Sequence, residues 1–268
     1  MRGPFSLLIL LSTCALAAPV EIPFRLQRGL ILIEATIEGS EKPLNLILDS
    51  GAGATVLSKK AAAAHSLILK AGERIRTVHG VENASRAATT HFRIGVSPVA
   101  VRFPTQPLIV DLSQESRSLG TRLDGLLGSD FFAGRVVIID FKRSRFCISP
   151  DVKPAADAIQ LPLTQSGGGL FVSLTAAGSR LSRIRLDTGC CRALCWTPPA
   201  SSAFRSGKTT KVDVELGSHI IPAIPTDVYR RPLFPNEDGL LGTALLARFD
   251  SVRIDCVRNR IAFEGNAD

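Results

Sequence analysis

Residues 46–52 read Leu-Ile-Leu-Asp-Ser-Gly-Ala, and residues 184–190 read Ile-Arg-Leu-Asp-Thr-Gly-Cys. In each stretch an apolar run leads into Asp, a small hydroxyl residue and Gly. The string Asp-Gly-Leu-Leu-Gly follows both stretches, at 124–128 and at 238–242. Because both strings recur in the same order, they indicate an internal duplication of the chain.

The pattern before each Asp is repeated as well. An apolar strand and a Gly-Ser turn occupy residues 29–40 in the first half and 169–179 in the second. The run at 44–48 predicts a buried strand that ends at Asp49, since Gly51 permits a sharp turn after it. Many short Val, Ile, Leu and Phe runs, with 22 Gly and 16 Pro, predict strands and turns through most of the 268 residues.

Between the repeated strings the two halves differ in length. The first half holds an additional predicted β-hairpin, with strands at 74–79 and 84–94 and a polar tip at 79–83. Residues 112–121 are polar and predict a loop. Residues 150–156 contain two prolines and predict the linker between the halves.

The N-terminus predicts export. Residues 1–18 combine Arg2, an apolar core and a small-residue cleavage site, which is typical of a secretory signal peptide. We therefore expect a periplasmic or secreted protein; a lipid anchor on Cys14 is the less favoured alternative. Nothing later in the sequence is long and apolar enough to predict a membrane span.

The composition argues against several kinds of partner. The formal net charge is +8, but the basic residues are scattered and predict a solvated surface instead of a nucleic-acid site. The four His residues lack metal-ligand spacing, so we expect no metal and no cofactor. In an oxidising compartment some of the cysteines that follow the signal peptide should pair, in a pattern that spacing does not define. They are Cys147, Cys190, Cys191, Cys195 and Cys256.

The duplicated Asp residues suggest a specific chemistry. Asp-Ser/Thr-Gly alone is a common turn tripeptide, and its duplication after matching strands is what favours a functional interpretation. If Asp49 and Asp187 face each other across a pseudo-two-fold axis, the two carboxyls hold one proton between them. One can then activate water as a general base while the other polarises a substrate carbonyl.

These motifs resemble those of pepsin/retropepsin-like aspartic proteases. In that family Asp-Thr/Ser-Gly follows an apolar strand, and a later apolar-apolar-Gly string packs behind it; the first half is most similar to bacterial retropepsin-like proteins. The resemblance implies an all-β, bilobal acid-protease fold with two pseudo-symmetric, closed, barrel-like lobes. It also implies a signal peptide at 1–18, an N-terminal lobe with a flap at 19–150 and a C-terminal lobe at 151–268.

The resemblance further implies a site. Asp49 and Asp187 would be the catalytic dyad of an aspartic-type endopeptidase, a hydrolase of peptide and protein substrates. Four residues would support the dyad: Ser50, Gly51, Thr188 and Gly189. Three residues occupy the position of a substrate-binding flap: His79, Gly80 and Val81.

Two alternatives remain open from the sequence. In the first, two first lobes pair their Asp49 residues in a homodimer, whereas we expect a monomer. Alternatively, the chain is a non-catalytic peptide- or partner-binding module that retains the fold. The Cys190-Cys191 turn and the absence of tyrosine from the flap motivate this second alternative, while the costly pair of Asp residues argues against it.

Overall fold

A computed structural model describes residues 20–77, 80–95, 100–148, 152–198, 204, 206–265 and 267 of the chain. The predicted signal peptide therefore lies outside the described residues. Strands dominate, as the short apolar runs predict. The first half contains β1 (Val20–Pro23), β2 (Arg25–Gln27), β3 (Leu30–Ile37), β4 (Ser40–Leu48), β5 (Val56–Ser58), α1 (Lys59–Ala64), β6 (Leu69–Thr77), β7 (Gly80–Ala87), β8 (Thr90–Ile94), β9 (Val101–Thr105), β10 (Leu108–Val110), α2 (Ser113–Leu119), β11 (Gly125–Leu127), α3 (Ser129–Phe132), β12 (Val136–Asp140) and β13 (Arg145–Ile148).

The second half repeats this order with fewer elements. It contains β14 (Ile159–Pro162), β15 (Thr164–Ser166), β16 (Gly169–Ala176), β17 (Ser179–Asp187), β18 (Leu194–Trp196), β19 (Thr209–Leu216), β20 (His219–Val228), β21 (Gly239–Gly242), α4 (Thr243–Leu246), β22 (Ser251–Asp255) and β23 (Arg260–Glu264).

The second lobe is a closed barrel. Its strands follow the order β16-β17-β21-β18-β20-β19, and β19 pairs again with β16 to complete the ring. Inside the ring β21 lies parallel to β17 and antiparallel to β18. The strand that ends in Asp187 is therefore held between neighbours on both sides.

The first lobe follows the same circuit. β11 lies parallel to β4 and antiparallel to β5, as β21 does to β17 and β18. β10 pairs with β5, β9 pairs with β8, and β8 pairs with β3. Because residues 106–107 alone separate β9 from β10, these two strands together match the long β20 of the second lobe and complete the ring.

The additional hairpin of the first half is β6–β7, inserted between α1 and β8. Thr77 pairs with Gly80, and residues 78–79 between them lie outside the described residues. The predicted tip at 79–83 is wrong for residues 80–83, which are paired strand residues of β7. The hairpin accounts for the greater length of the first half, as predicted.

The hairpins that end the two halves join in one sheet. Its strand order is β1-β13-β12-β22-β23-β14, so three strands from each half lie side by side. The central contact is the antiparallel pairing of β12 with β22. Sequence patterns do not reveal that these hairpins pair with each other, because nothing local in a strand specifies a distant partner.

Within the predicted loop at 112–121, residues Ser113–Leu119 form helix α2. Asp111 Oδ1 accepts the backbone N–H of Ser113 at 2.9 Å, before the first turn. Gly120 ends the helix in the left-handed conformation, with φ 72°. Helix α1 begins after Ser58, whose Oγ accepts the N–H of Ala61.

Candidate functional site

The two Asp-Ser/Thr-Gly turns meet at the centre of the molecule, between the lobes. Ser50 Oγ donates to the Leu186 carbonyl (2.8 Å), and Thr188 Oγ1 donates to the Leu48 carbonyl (2.7 Å). The backbone N–H of Ser50 donates to Thr188 Oγ1 (2.9 Å), and that of Thr188 donates to Ser50 Oγ (3.1 Å). All four bonds are buried and cross from one half to the other. The hydroxyls of Ser50 and Thr188 thus lock the turns in a symmetric arrangement.

Each Asp carboxyl lies against the glycine of the opposite turn. A Cβ added to Gly51 would come within 3.0 Å of the Asp187 carboxyl, and a Cβ added to Gly189 would approach the Asp49 carboxyl equally closely. Both glycines are therefore required by the close approach of the two carboxyls. This geometry places Asp49 and Asp187 side by side across the lobe boundary, as predicted from the sequence.

The two carboxyls do not have the same surroundings. Asp49 is partly exposed, and its Oδ1 accepts the N–H groups of Gly51 (2.9 Å) and Ala52 (3.0 Å). Asp187 is buried, and its Oδ1 accepts the N–H of Gly189 (3.0 Å). More backbone donors stabilise a negative charge on Asp49 than on Asp187.

The pKa values follow from these surroundings. Burial raises the pKa of Asp49 above its ordinary value, although the N–H groups of Ala52 and Gly51 oppose the rise. Burial raises the pKa of Asp187 further, and the nearby charge of Asp49 adds to the effect. Because the pKa of Asp187 is raised more than that of Asp49, a proton shared by the two carboxyls is favoured on Asp187.

A second carboxylate in each half supports the strand that ends in the catalytic turn. Asp124 Oδ2 accepts the backbone N–H of residue 45, and Asp238 Oδ2 accepts that of residue 183, both at 2.9 Å. Residues 45 and 183 each lie four positions before the dyad Asp of their half. These are the Asp residues of the repeated Asp-Gly-Leu-Leu-Gly strings. The sequence revealed the repeat but not this bracing role.

Arg185 is the site residue that sequence reasoning missed. It lies on β17, two positions before Asp187, and is 9% exposed. Its Nε donates to Glu237 Oε2 (2.9 Å), its Nη2 forms an ion pair with Glu237 Oε1, and its Nη1 donates to the Gly51 carbonyl (3.1 Å). The available signal was a single charged residue within the otherwise apolar run 184–186.

Two of the predicted flap residues, Gly80 and Val81, begin β7, where Gly80 pairs with Thr77 and Val81 with Arg76. His79 lies outside the described residues. A Cβ at Gly80 would meet nothing within 4 Å, and the Val81 residue is 46% exposed. The structure therefore places both residues in open surroundings at the start of β7.

The cysteines are not paired. All five that follow the predicted signal peptide are free thiols, so the expectation of disulfides is wrong for this structure. Cys190 and Cys195 come nearest, with their sulfurs 4.0 Å apart. The hydrogen bond to Cys195 and burial raise the pKa of Cys190, which keeps it a neutral thiol beside Asp187.

Within the described part of the chain, no group of three or more His, Cys, Asp or Glu side chains is arranged to hold a metal ion. Its helices, moreover, include none that is long and apolar enough to cross a membrane.

Comparison with known proteins agrees with this architecture. Residues 33–131 match the sequence model of a family described as aspartyl protease. The crystal structure of basic 7S globulin from soybean matches 93% of this chain and 95% of its own, with a TM-score of 0.56 and 13% identity. At that identity the match concerns the fold alone. No curated protein sequence matches the chain.

The protein thus has an all-β, bilobal fold of the acid-protease type. The family match to residues 33–131 adds that the first lobe is similar to aspartyl proteases, so the resemblance to the pepsin/retropepsin-like family is confirmed.

Proposed function

We propose that the chain is an exported aspartic endopeptidase in which Asp49 and Asp187 activate one water molecule to hydrolyse peptide bonds. One observation carries the proposal. The two turns that bear Asp49 and Asp187 are held together by reciprocal, buried hydrogen bonds between the halves of one chain. Unpaired buried carboxyls are costly, and such pairs concentrate at catalytic sites. The aspartyl protease family match and the protease-like fold support the same function.

The asymmetry of the pair suggests the role of each carboxyl. Asp49, with two backbone N–H donors, is the ionised base that takes a proton from water as the water oxygen attacks the peptide carbonyl carbon. Asp187, which holds the shared proton, donates it to the carbonyl oxygen. The product of this step is a neutral tetrahedral diol.

The second step restores the dyad. The carbon–nitrogen bond breaks while Asp49 returns its proton to the leaving nitrogen. One diol hydroxyl gives its proton back to Asp187 as the new carboxyl group forms. Each carboxyl thus ends the cycle as it began, and the proton that reaches the leaving nitrogen comes from the attacking water through Asp49.

The β6–β7 hairpin is the proposed flap over a bound peptide. It is the insertion that distinguishes the first lobe from the second, and Thr77 Oγ1 donates to Glu82 Oε1 across it (2.7 Å). Export as a periplasmic or secreted enzyme remains part of the proposal and rests on residues 1–18.

Cleavage of an unfolded protein substrate by residues 19–268, followed from acid to neutral pH, tests the proposal. Asp49→Asn and Asp187→Asn should each reduce the rate by at least about 10³-fold, because each removes a proton-transfer group. Asp157→Asn is the matched control, since Asp157 is exposed and remote in sequence from both turns. Substantial activity in either dyad variant would refute the assignment.

The same experiment separates the rival functions. Loss of cleavage in Asp49→Asn alone would indicate the homodimer of first lobes. The hydrogen bonds between the halves argue against that homodimer, because they already bring a second Asp to Asp49. Binding of peptides without cleavage at any pH would indicate the non-catalytic module, which the Cys190-Cys191 turn and the tyrosine-free flap still favour.

A further inference from the structure

The Arg185 side chain joins the second lobe to the catalytic turn of the first. Its Nη1 donates to the Gly51 carbonyl at 3.1 Å, and Gly51 in turn donates its N–H to Asp49 Oδ1 at 2.9 Å. The Arg185 guanidinium is therefore linked to the Asp49 carboxyl through a single residue, Gly51. Arg185 also lies two positions before Asp187 on the same strand, so it adjoins both halves of the dyad.

The guanidinium is held rigidly. Glu237 is 7% exposed and accepts bonds from two nitrogens of Arg185, a fork geometry that fixes the plane of the group. The rings of Phe171 and Phe234 lie 5.1 and 4.8 Å from the guanidinium carbon. A cation fixed in this way has little freedom to move away from the dyad.

The first lobe has no equivalent of this group. The matching position, two before Asp49, is Ile47, which is buried with 4% exposure. Because the first lobe forms the same strand and turn with an apolar residue there, the fold itself does not require Arg185. The ion pair breaks the two-fold symmetry of the site at the point where the two carboxyls differ.

We propose that Arg185 is a positioning residue for the dyad, which holds the Asp49 turn through the Gly51 carbonyl and sets the pH range in which the dyad carries one proton. The inference rests on the proposed function and extends it. The charged and titratable groups around the guanidinium and the dyad carboxyls are Glu237, Cys190, Cys195 and Arg183. Burial has the largest effect on both dyad carboxyls and raises their pKa values. The charge of Arg185 has a smaller effect and lowers the pKa of both.

The test compares pH–rate profiles of four variants with that of the unmutated protein. Arg185→Met with Glu237→Met removes the ion pair and leaves an apolar pair, a replacement that proteins often tolerate. Both limbs of its profile should move to higher pH, by about 0.5–1 pH unit, because a nearby cation is lost. Its kcat should fall about 10-fold or more with a smaller change in KM, since the Asp49 turn loses its support.

Two conservative variants separate the effect of the Arg185 charge from the effect of its hydrogen bonds. Arg185→Lys keeps the charge but loses the fork, so its limbs should stay near those of the unmutated protein while kcat falls. Glu237→Gln keeps a hydrogen-bond acceptor but removes the compensating anion, so its limbs should move to lower pH. Arg183→Met is the matched control, because the Arg183 side chain lies over the same Phe171 ring, 3.9 Å from its centre. Its profile should be unchanged.

A second readout does not require turnover. Carbon-13 labelling of the Asp carboxyls lets NMR follow the protonation of Asp49 and Asp187 in each folded variant, and thermal unfolding verifies the fold. Unmoved carboxyl titrations in folded Arg185→Met/Glu237→Met, or an equal shift in Arg183→Met, would overturn the inference. If no variant cleaves peptides, the proposed function fails, whereas the carboxyl titrations still decide the role of Arg185.

Discussion

Asp49 and Asp187 occupy equivalent positions in two copies of one sequence pattern, yet their surroundings differ. Asp49 receives two backbone N–H donors and is partly exposed, whereas Asp187 receives one such donor and is buried beside a neutral Cys190 thiol. Arg185 adds a cation from one side only. A pair with identical surroundings would have no preferred site for its shared proton, so these differences assign the roles of base and acid.

The raised pKa values predict how stability depends on pH. Asp49 and Asp187 both have pKa values above the ordinary 3.8 when folded, so the folded state binds more protons than the unfolded state at pH above 3.8. Stability should therefore fall as the pH rises from 3.8 through the folded pKa values. Asp187→Asn should raise the unfolding temperature at neutral pH, and the gain should vanish near pH 3.

Thermal unfolding measured from pH 3 to pH 7.5 checks this prediction. Asp157→Asn, at an exposed carboxylate, serves as the control and should show no pH-dependent gain. A destabilised Asp187→Asn protein at neutral pH would contradict the assignment of a costly buried pair.

The close approach at Gly51 predicts a sharp positional effect on activity. Gly51→Ala places a methyl group against the Asp187 carboxyl, so one of the two turns must shift. A displacement on the order of 1 Å costs about 10²-fold in rate, and the variant should lose at least that much kcat. Gly53→Ala is the matched control, because its Cβ would meet only the Gly168 carbonyl, at an ordinary 3.7 Å. Equal rates for the two variants would contradict the prediction.

At the level of elements, the site consists of one strand–turn unit used twice. In both units the strand before the dyad Asp lies parallel to the Gly-Leu-Leu strand. The side chain of the Asp that precedes this Gly, Asp124 or Asp238, accepts a backbone N–H of the strand before the dyad Asp. A Cβ on Gly125 or Gly239 would collide with the backbone of the adjoining strand. The close packing of these strands thus requires the first Gly of each repeated Asp-Gly-Leu-Leu-Gly string.

The reciprocal hydroxyl bonds predict the cost of losing one. Thr188→Val keeps the side-chain shape but removes the donor to the Leu48 carbonyl and the acceptor for the Ser50 N–H. Two buried backbone groups then lack partners, so the free energy of unfolding should drop by about 2–4 kcal/mol. Thr188→Ser retains the hydroxyl and should cost about 1 kcal/mol or less. Denaturant unfolding of both variants measures the difference, and equal losses would show that the hydroxyl bonds matter little.

Sequence reasoning succeeded where a structural demand acts over a few residues. The Gly51 turn, the cap on α1 and the strands of both halves follow from local patterns. It failed for α2, because the polar residues 112–121 carry no apolar periodicity, and for residues 80–83, which are paired in β7. It also failed where the cause is tertiary. The Arg185–Glu237 pair joins residues 52 positions apart, so no local pattern announces it.

On the scale of the whole molecule, the two halves are joined by a shared sheet as well as by the catalytic turns. Three strands from each half form the six-stranded sheet, and the dyad turns add reciprocal hydrogen bonds. The segment between the halves, from Val152 onward, is mostly exposed. The covalent connection should therefore matter less for assembly than these contacts.

A cut in that segment tests this expectation. A specific protease site inserted between Val152 and Lys153 should allow complete cleavage, and the nicked protein should still elute as one species of unchanged size. Addition of denaturant should release the two fragments, which provides the positive control. Separation of the fragments in native buffer would show that the shared sheet does not hold the halves together.

The antiparallel pairing of β12 with β22 has the two-fold symmetry that a duplicated sequence predicts. Exchanging the halves converts the pair Val137–Ile254 into Ile139–Val252, so the axis passes through the pair Ile138–Arg253. This is the isologous contact of a symmetric dimer, in which each residue on the axis meets its own copy. Isoleucine tolerates such a self-encounter, whereas two buried arginines repel each other. The Arg253 residue at the axis therefore disfavours pairing of two second halves and favours the observed pairing of unlike halves.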